Sequence, residues 1–385
     1  MATVRVAVRP NVLDWAIERS GQEADAFKAF AIDAWRSGAK QPTYRQLESF
    51  ARTARTPFGL LLLDEPPNFE LPLPDFRTVR DGTLEQPSAD LLDTIHAVQR
   101  RQLWFRDHVL EQGHDRLSFV GSVTTATPTA EAASRIVQTL GFTVDTRRGG
   151  NWTDTRTQLA RLGEDAGILV MIAGYVGADT NRTLDPDEFR GFSIADDIAP
   201  AVFVNGRDSV AAQLFTMVHE FAHVWLGRSG IDRPEPGAIG ESAIERWCNA
   251  VAANVLVPPA ELRDLFDQNA DLALETSRLA SHFRASGLVV LSQLHEIGAL
   301  PWNEYVTARD EERAKALEAL AAKQGEGSTG GDWYRNVPIM VSRRFLAAVL
   351  ADTAAGGTPP TEAMHLIGSR SRKSLEGLVE RYGHG

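Results

Sequence analysis

The segment FTMVHEFAHVWLG, residues 215 to 227, constrains the fold of this chain more than any other stretch. Apart from three residues near its middle it is almost wholly apolar, so a helix made from it has to be wrapped by core on nearly every side. Those three residues are His219, Glu220 and His223. Burying two imidazoles and a carboxylate is costly unless something compensates them. Residues four apart lie one helical turn above each other, so both imidazoles project from one face. That spacing suits two nitrogen ligands of one tetrahedral Zn2+, at about 2.0–2.1 Å each. Glu220, turned about 100° around the helix from its neighbour, can reach a metal-bound water.

A third ligand has to come from another element. No third histidine follows soon after His223, which disfavours the pattern HExxHxxGxxH. The stretch ESAIERWCNAVAANVLVPP offers Glu241 and Glu245. Glu245 is preferred, because Cys248, Asn249, Ala252 and Ala253 give its helix a face of small residues that permits close packing. Glu241 stands near the helix start, where a carboxylate commonly serves the helix dipole. Asn249 either orients the ligand one turn before it or packs as an ordinary amide, and both readings stand. Cys248 is the single cysteine of the chain, which excludes an internal disulfide. It reads as a small core residue and neither as a nucleophile nor as a ligand. Arg207, just ahead of the metal helix, reads as a salt-bridge residue.

With 385 residues the chain exceeds one ordinary domain, and 43% hydrophobic against 24% charged residues suits a soluble globular protein. The net charge of −11 argues against nucleic-acid coating over the whole surface. The opening MATVRVAVRPNVLDW lacks the apolar core of a signal peptide, and no run is long enough for a membrane span, so a cytoplasmic protein is expected. Residues 1–78 read as a helical module ending in a proline-rich strap through Pro66, Pro67, Pro72 and Pro74. A connecting helix, from Ser88 to about Glu111, lies within residues 79–120. The pattern then becomes mixed. TPTAEAASRIVQTLG reads as helix, while GILVMI, FRGFSI and AVFVN read as strands. Asn205-Gly206 is a turn, Asp208 or Ser209 caps the metal helix, and Gly227 stops it. This core extends over 121–268. A two-helix unit follows within 269–312, then a helix and linker over 313–331, and a small helical module over 332–385. The expected class is α+β, mainly helical, with a small β-sheet.

The stretches GFSIADDIAPAVFVNGRD, FTMVHEFAHVWLG and IERWCNAVAANVLVPPAEL resemble the ImmA/IrrE family of metallo-endopeptidases. In that family a helix carrying Glu, then a small residue and Asn, follows HExxH. Here the pattern falls on Glu245, Cys248 and Asn249, with Cys248 replacing the usual Ala and Val251 the usual Phe. The resemblance implies a zincin-like core of the gluzincin type. WRSGAKQPT, QLESFARTARTP and LPDFR are similar to the XRE-type helix-turn-helix module often fused ahead of this peptidase. SRLASHFRASGLVVLSQLHEIGAL looks like the helix-turn-helix-like part of these enzymes. The resemblance further implies cleavage of repressor-type proteins in stress response, mobile-element induction or toxin–antitoxin control.

The expected assignment is therefore Zn2+ held by His219, His223 and Glu245, with Glu220 as general base. Tyr175, Arg207 and Tyr305 are open alternatives for stabilising the oxyanion. The expected partner is a protein substrate, a helix-turn-helix repressor or antitoxin, with no membrane. The rival is a DNA- or protein-binding regulator with a silent metal site. Residues 1–80 carry 11 Lys plus Arg against 10 Asp plus Glu, a weak footprint for DNA binding.

Overall fold

Local capping signals open most helices of the computed structural model, which describes residues 4–67, 73–74, 87–147, 149–232, 242–325 and 332–383, with side chains described up to 319 in the fifth span. The chain divides into two units. The first comprises residues 1–72 and 79–96, and the second comprises 73–78 and 97–385.

In the first unit, α1 (Pro10–Arg19) begins on a proline, which suits the first turn of a helix. α2 (Ile32–Arg36) is a turn and a half. α3 (Tyr44–Thr53) opens on a reciprocal capping box between Thr43 and Gln46. Val12, Leu13, Trp35, Leu47 and Phe50 form the core, and the rings of Phe30 and Trp35 meet Phe50 edge-on at 5.5 and 5.9 Å. α4 (Ala89–Glu111) begins in this unit, where Arg55 pairs with Asp90 at 2.6 Å.

The second unit is α+β, mainly helical with a four-stranded mixed sheet. α5 (Thr129–Leu140), α6 (Val144–Arg147) and α7 (Trp152–Asp165) precede β1 (Leu169–Ala173), β2 (Gly191–Ile194) and β3 (Ala201–Asn205). Then come α8 (Val210–Leu226), β4 (Gly230–Asp232), α9 (Ala243–Leu256), α10 (Pro259–Leu265), α11 (Leu272–Phe283), α12 (Gly287–Glu296) and α13 (Trp302–Gly325). The chain closes with α14 (Trp333–Met340), α15 (Arg343–Ala355), α16 (Pro360–Ile367) and α17 (Arg372–Tyr382).

Strand order is β1-β3-β2-β4, with β1 and β3 parallel and the other pairs antiparallel. Every residue of β1 and β3 is buried. α7 and α14 pack on β1 while α8 packs on β2 and β3, so these strands are continuous apolar runs without alternation. At the sheet end, the Ile231 N–H of β4 donates to the Pro74 carbonyl at 3.0 Å.

The strands expected from GILVMI, FRGFSI and AVFVN appear as β1, β2 and β3. Of the two residues expected to cap the metal helix, Ser209 does so, accepting from the Ala212 N–H, and Gly227 ends it at φ 67°. A side chain at Gly227 would come within 3.0 Å of the Gly121 Cα. The sequence reading did not foresee α7 and β4. Most of the proline strap and the linker at 326–331 lie outside the described residues.

The C-terminal helices are tied to the core by Glu164 of α7. Its Oε1 accepts from the Ser342 hydroxyl at 2.6 Å and from the Arg343 N–H at 2.7 Å. Burial pushes this carboxyl above its ordinary 4.5, although both bonds pull the other way. Arg101 of α4 is buried among the same helices, donating to the Leu366 carbonyl, and burial lowers it to about 10.

Candidate metal centre

α8 is buried continuously from Gln213 to Trp225, which explains why its sequence tolerates so few polar residues. β2 and β3 cover one side, α7 another and α9 a third. α7 approaches closely because it presents Gly163, where a Cβ would stand 2.7 Å from the Phe221 ring. Within this sleeve His219, Glu220 and His223 are fully buried, and Glu245 from α9 is 5% exposed.

The structure brings His219, His223 and Glu245 together. The two Nε2 atoms are 3.1 Å apart, and the Glu245 carboxylate oxygens lie 3.2 Å from His219 Nε2 and 3.4 Å from His223 Nε2. Ligands about 2.0–2.1 Å from a common tetrahedral centre are separated by roughly 3.3–3.4 Å. The three donors therefore fit a single metal ion of zinc's size. Their chemistry fits as well. His219 Nδ1 lies 2.9 Å from the Asn249 Oδ1, and an amide oxygen only accepts, so Nδ1 carries the proton and Nε2 turns its lone pair inward. Asn249, which the sequence left between two readings, thus meets the first histidine.

Glu245 occupies the first turn of α9, where its N–H is bonded by the Ser242 hydroxyl at 3.2 Å. In the usual Ser-x-x-Glu box the glutamate folds back onto the cap residue. Here its carboxylate turns to the imidazoles, beside the positive end of the helix. The other carboxylate weighed from sequence, Glu241, lies outside the described residues.

Glu220, the neighbour of His219 on α8, is roofed by β2. A Cβ at Gly191 would fall 2.7 Å from Glu220 Oε1, 2.6 Å from Thr216 Cγ2 and 3.0 Å from the Phe203 carbonyl. The space the carboxylate occupies exists only because residue 191 has no side chain. Sequence reasoning did not find Gly191; its only signal was a glycine inside a strand pattern, which marks a close approach.

Each of the three residues left open for an oxyanion has neighbours of its own. The Tyr175 hydroxyl lies 3.3 Å from Met340 Sδ, and burial raises its pKa. Arg207 packs along Gly174. Tyr305 stacks on His295 beneath Arg309. Cys248 is wholly buried in the apolar core.

Residues 164–295, about a third of the chain, match a peptidase family model described as the IrrE N-terminal-like domain. The matched segment holds the three clustered residues, Glu220, α11 and all but the last residue of α12. Residues 341–381 match a domain of unknown function. No curated protein matches the chain. The first match supports a metallopeptidase-type function, and the buried His-His-Glu cluster is compatible with a metal ion. No described helix is long and apolar enough to cross a membrane.

Proposed function

We propose that the chain is a zinc-dependent endopeptidase that makes limited cuts in a regulatory protein. The observation that supports this best is the convergence of three donor atoms at 3.1–3.4 Å with a second acid, Glu220, next to the first histidine in the sequence and outside the set. A structural metal site closes with a fourth protein ligand and has no use for such an acid.

His219, His223 and Glu245 hold the Zn2+, and Asn249 fixes the tautomer and ring direction of His219. Bound there, the ion supplies Lewis acidity to an amide carbonyl and to a water molecule. Glu220 takes a proton from the attacking water and passes it to the leaving amine. Its place between Gly191 and Thr216 restricts the carboxylate to a narrow set of positions, which suits a base that acts on one atom. The complete burial of His219, Glu220 and His223 means that neighbouring residues must move before a peptide reaches them. Such an enzyme digests unfolded protein poorly and depends on a partner that docks. A helix-turn-helix repressor or antitoxin is the substrate class suggested by the family resemblance. Residues 1–78 serve as a helix-turn-helix-like docking module, with DNA as a weaker partner.

The test compares the full chain with Glu220→Gln, each co-expressed with candidate repressors and examined by mass spectrometry. Discrete fragments with the native chain only, at equal zinc content and melting temperature, are the expected outcome. A loss of at least about a hundredfold matches the size of general-base contributions. Stable complexes without fragments, zinc being present, would instead mark a binding regulator.

A further inference from the structure

The sheet ends at β4, and the outer edge of that strand is occupied. Ile231 stands opposite Phe192 of β2, while its N–H turns the other way and donates to the Pro74 carbonyl at 3.0 Å. Leu73, one residue earlier, is only 8% exposed, so the segment is fixed by a buried side chain as well as by a main-chain bond. Leu73 and Pro74 belong to the same unit as β4. The edge of a sheet presents N–H and C=O groups that pair readily with another strand, and here the protein fills that edge from its own sequence.

The side chains of α8 show on which side of the helix this edge lies. Phe221 faces α7 and β1, since a Cβ at Gly163 would stand 2.7 Å from its ring and 3.0 Å from Val170 Cγ2. Glu220 faces β2 at Gly191, which lies opposite Asp232 of β4. Strand order is β1-β3-β2-β4, so the turn of about 100° from Phe221 to Glu220 crosses the sheet from β1 to β2. His223 lies about 60° further in the same sense, and His219 about 100° further. Both imidazoles therefore project towards the β4 side of the sheet. A peptide added as a strand to this edge is held by main-chain hydrogen bonds and runs along the side to which the metal donors point.

We propose that Leu73–Pro74 is a built-in competitor, holding the edge of β4 with which an extended substrate strand pairs, so that the chain restrains its own peptidase site until the segment is released. The inference rests on the proposed peptidase activity. The residue at the contact suits a temporary occupant. Proline has no N–H, so Pro74 accepts from the edge and gives no bond back, whereas other residues in its place do both. A substrate strand gains a main-chain bond that the resident lacks, which is worth about a two- to tenfold preference. The resident is tethered, however, and acts at an effective concentration in the millimolar range. A free peptide therefore displaces it poorly, and a substrate docked elsewhere on the chain, itself tethered, displaces it well.

The test uses the full zinc-loaded chain with Leu73→Asp, which places a charge at a buried position, and Leu73→Ala as a milder variant. Hydrogen exchange resolved to the Ile231 amide reports docking, and digestion of fluorescein-labelled casein reports access. In Leu73→Asp the Ile231 amide should exchange about tenfold faster while β1 and β3 keep native protection, which also verifies folding. Casein, a poor substrate of the native chain, should be cut about tenfold faster. Leu73→Ala should move both readings in the same direction by less, and Leu73→Met should leave both native. A peptide with the sequence of residues 70–78, added at about 1 mM, should restore slow exchange and slow digestion to Leu73→Asp. Native exchange at Ile231 in both Leu73→Asp and Leu73→Ala overturns the proposal. So does faster exchange with casein digestion unchanged, because the edge is then not the one a substrate needs. Failure of the peptidase reading shows separately, as the absence of repressor fragments from native chain and variants alike.

Discussion

Replacing Gly191 by alanine adds one methyl group at the most crowded point around the proposed base. The new Cβ would stand 2.6 Å from Thr216 Cγ2, 2.7 Å from Glu220 Oε1 and 3.0 Å from the Phe203 carbonyl. The carbonyl belongs to β3, and Thr216 is 1% exposed inside α8, so neither has room to retreat. Glu220, at the end of a longer side chain, is the group that yields. Overpacking of this kind costs about 1–3 kcal/mol. At roughly 2–4 °C per kcal/mol for a unit of this size, the melting temperature should fall by several degrees. A base displaced by up to about 1 Å from its working position can lose about a hundredfold in rate. The expected result is therefore native zinc content, modestly lower melting temperature, and proteolysis reduced about ten- to a hundredfold. The double variant Gly191→Ala/Glu220→Gln should be no slower than Glu220→Gln alone, because both changes disable one group. Native proteolytic rates in Gly191→Ala would refute the reasoning, and so would full additivity in the double variant.

Alanine in place of His219, His223 or Glu245 should strip about one equivalent of zinc by elemental analysis. Retention by Glu245→Ala would remove that residue from the set. Asn249→Ala should lower zinc affinity about 10- to 100-fold in chelator competition while leaving the helix folded, and unchanged affinity would restore the plain packing reading. Glu164 has its folded pKa raised by burial, so the folded state binds its proton more tightly than the unfolded chain. The stability it contributes is complete below about 4.5 and declines as pH rises through the elevated folded value. Glu164→Gln keeps an oxygen for Ser342 and Arg343, so it should flatten this decline and match or exceed native stability at pH 7. Glu164→Ala should lose about 1–3 kcal/mol in denaturant melts at pH 7, as two buried donors lose their acceptor.

Those parts of the fold that are written locally were legible in the sequence. Continuous apolar runs marked β1 and β3, and Ser209 and Gly227 announced helix ends through a side-chain bond or a left-handed backbone. α7 escaped notice because Gly163 and its threonines weaken the helical pattern, and the reason for that glycine is Phe221 on a distant helix. β4 is three residues held by β2 and carries too little pattern to read. At the site, the histidine spacing is a property of one helix and could be read directly. Glu245 could be ranked over Glu241 by the faces around it and by the family pattern that falls on Glu245, Cys248 and Asn249. Its position in the first turn, with Ser242 as cap, is the very placement that counted against Glu241. Gly191 is silent in sequence, since what it accommodates is the far end of another residue.

The bond from Ser342 and Arg343 to Glu164 bears on how the chain can be divided. Glu164 lies at the start of the segment that matches the peptidase model, and its partners open the segment that matches the domain of unknown function. Two sequence modules that look separable therefore share one buried carboxyl, provided by one and satisfied by the other. A chain cut before Ser342 would leave that acid without either of these donors, on the helix that presses Gly163 against α8. Exchange of either segment between proteins would succeed only if this acid and its two donors travelled as a pair.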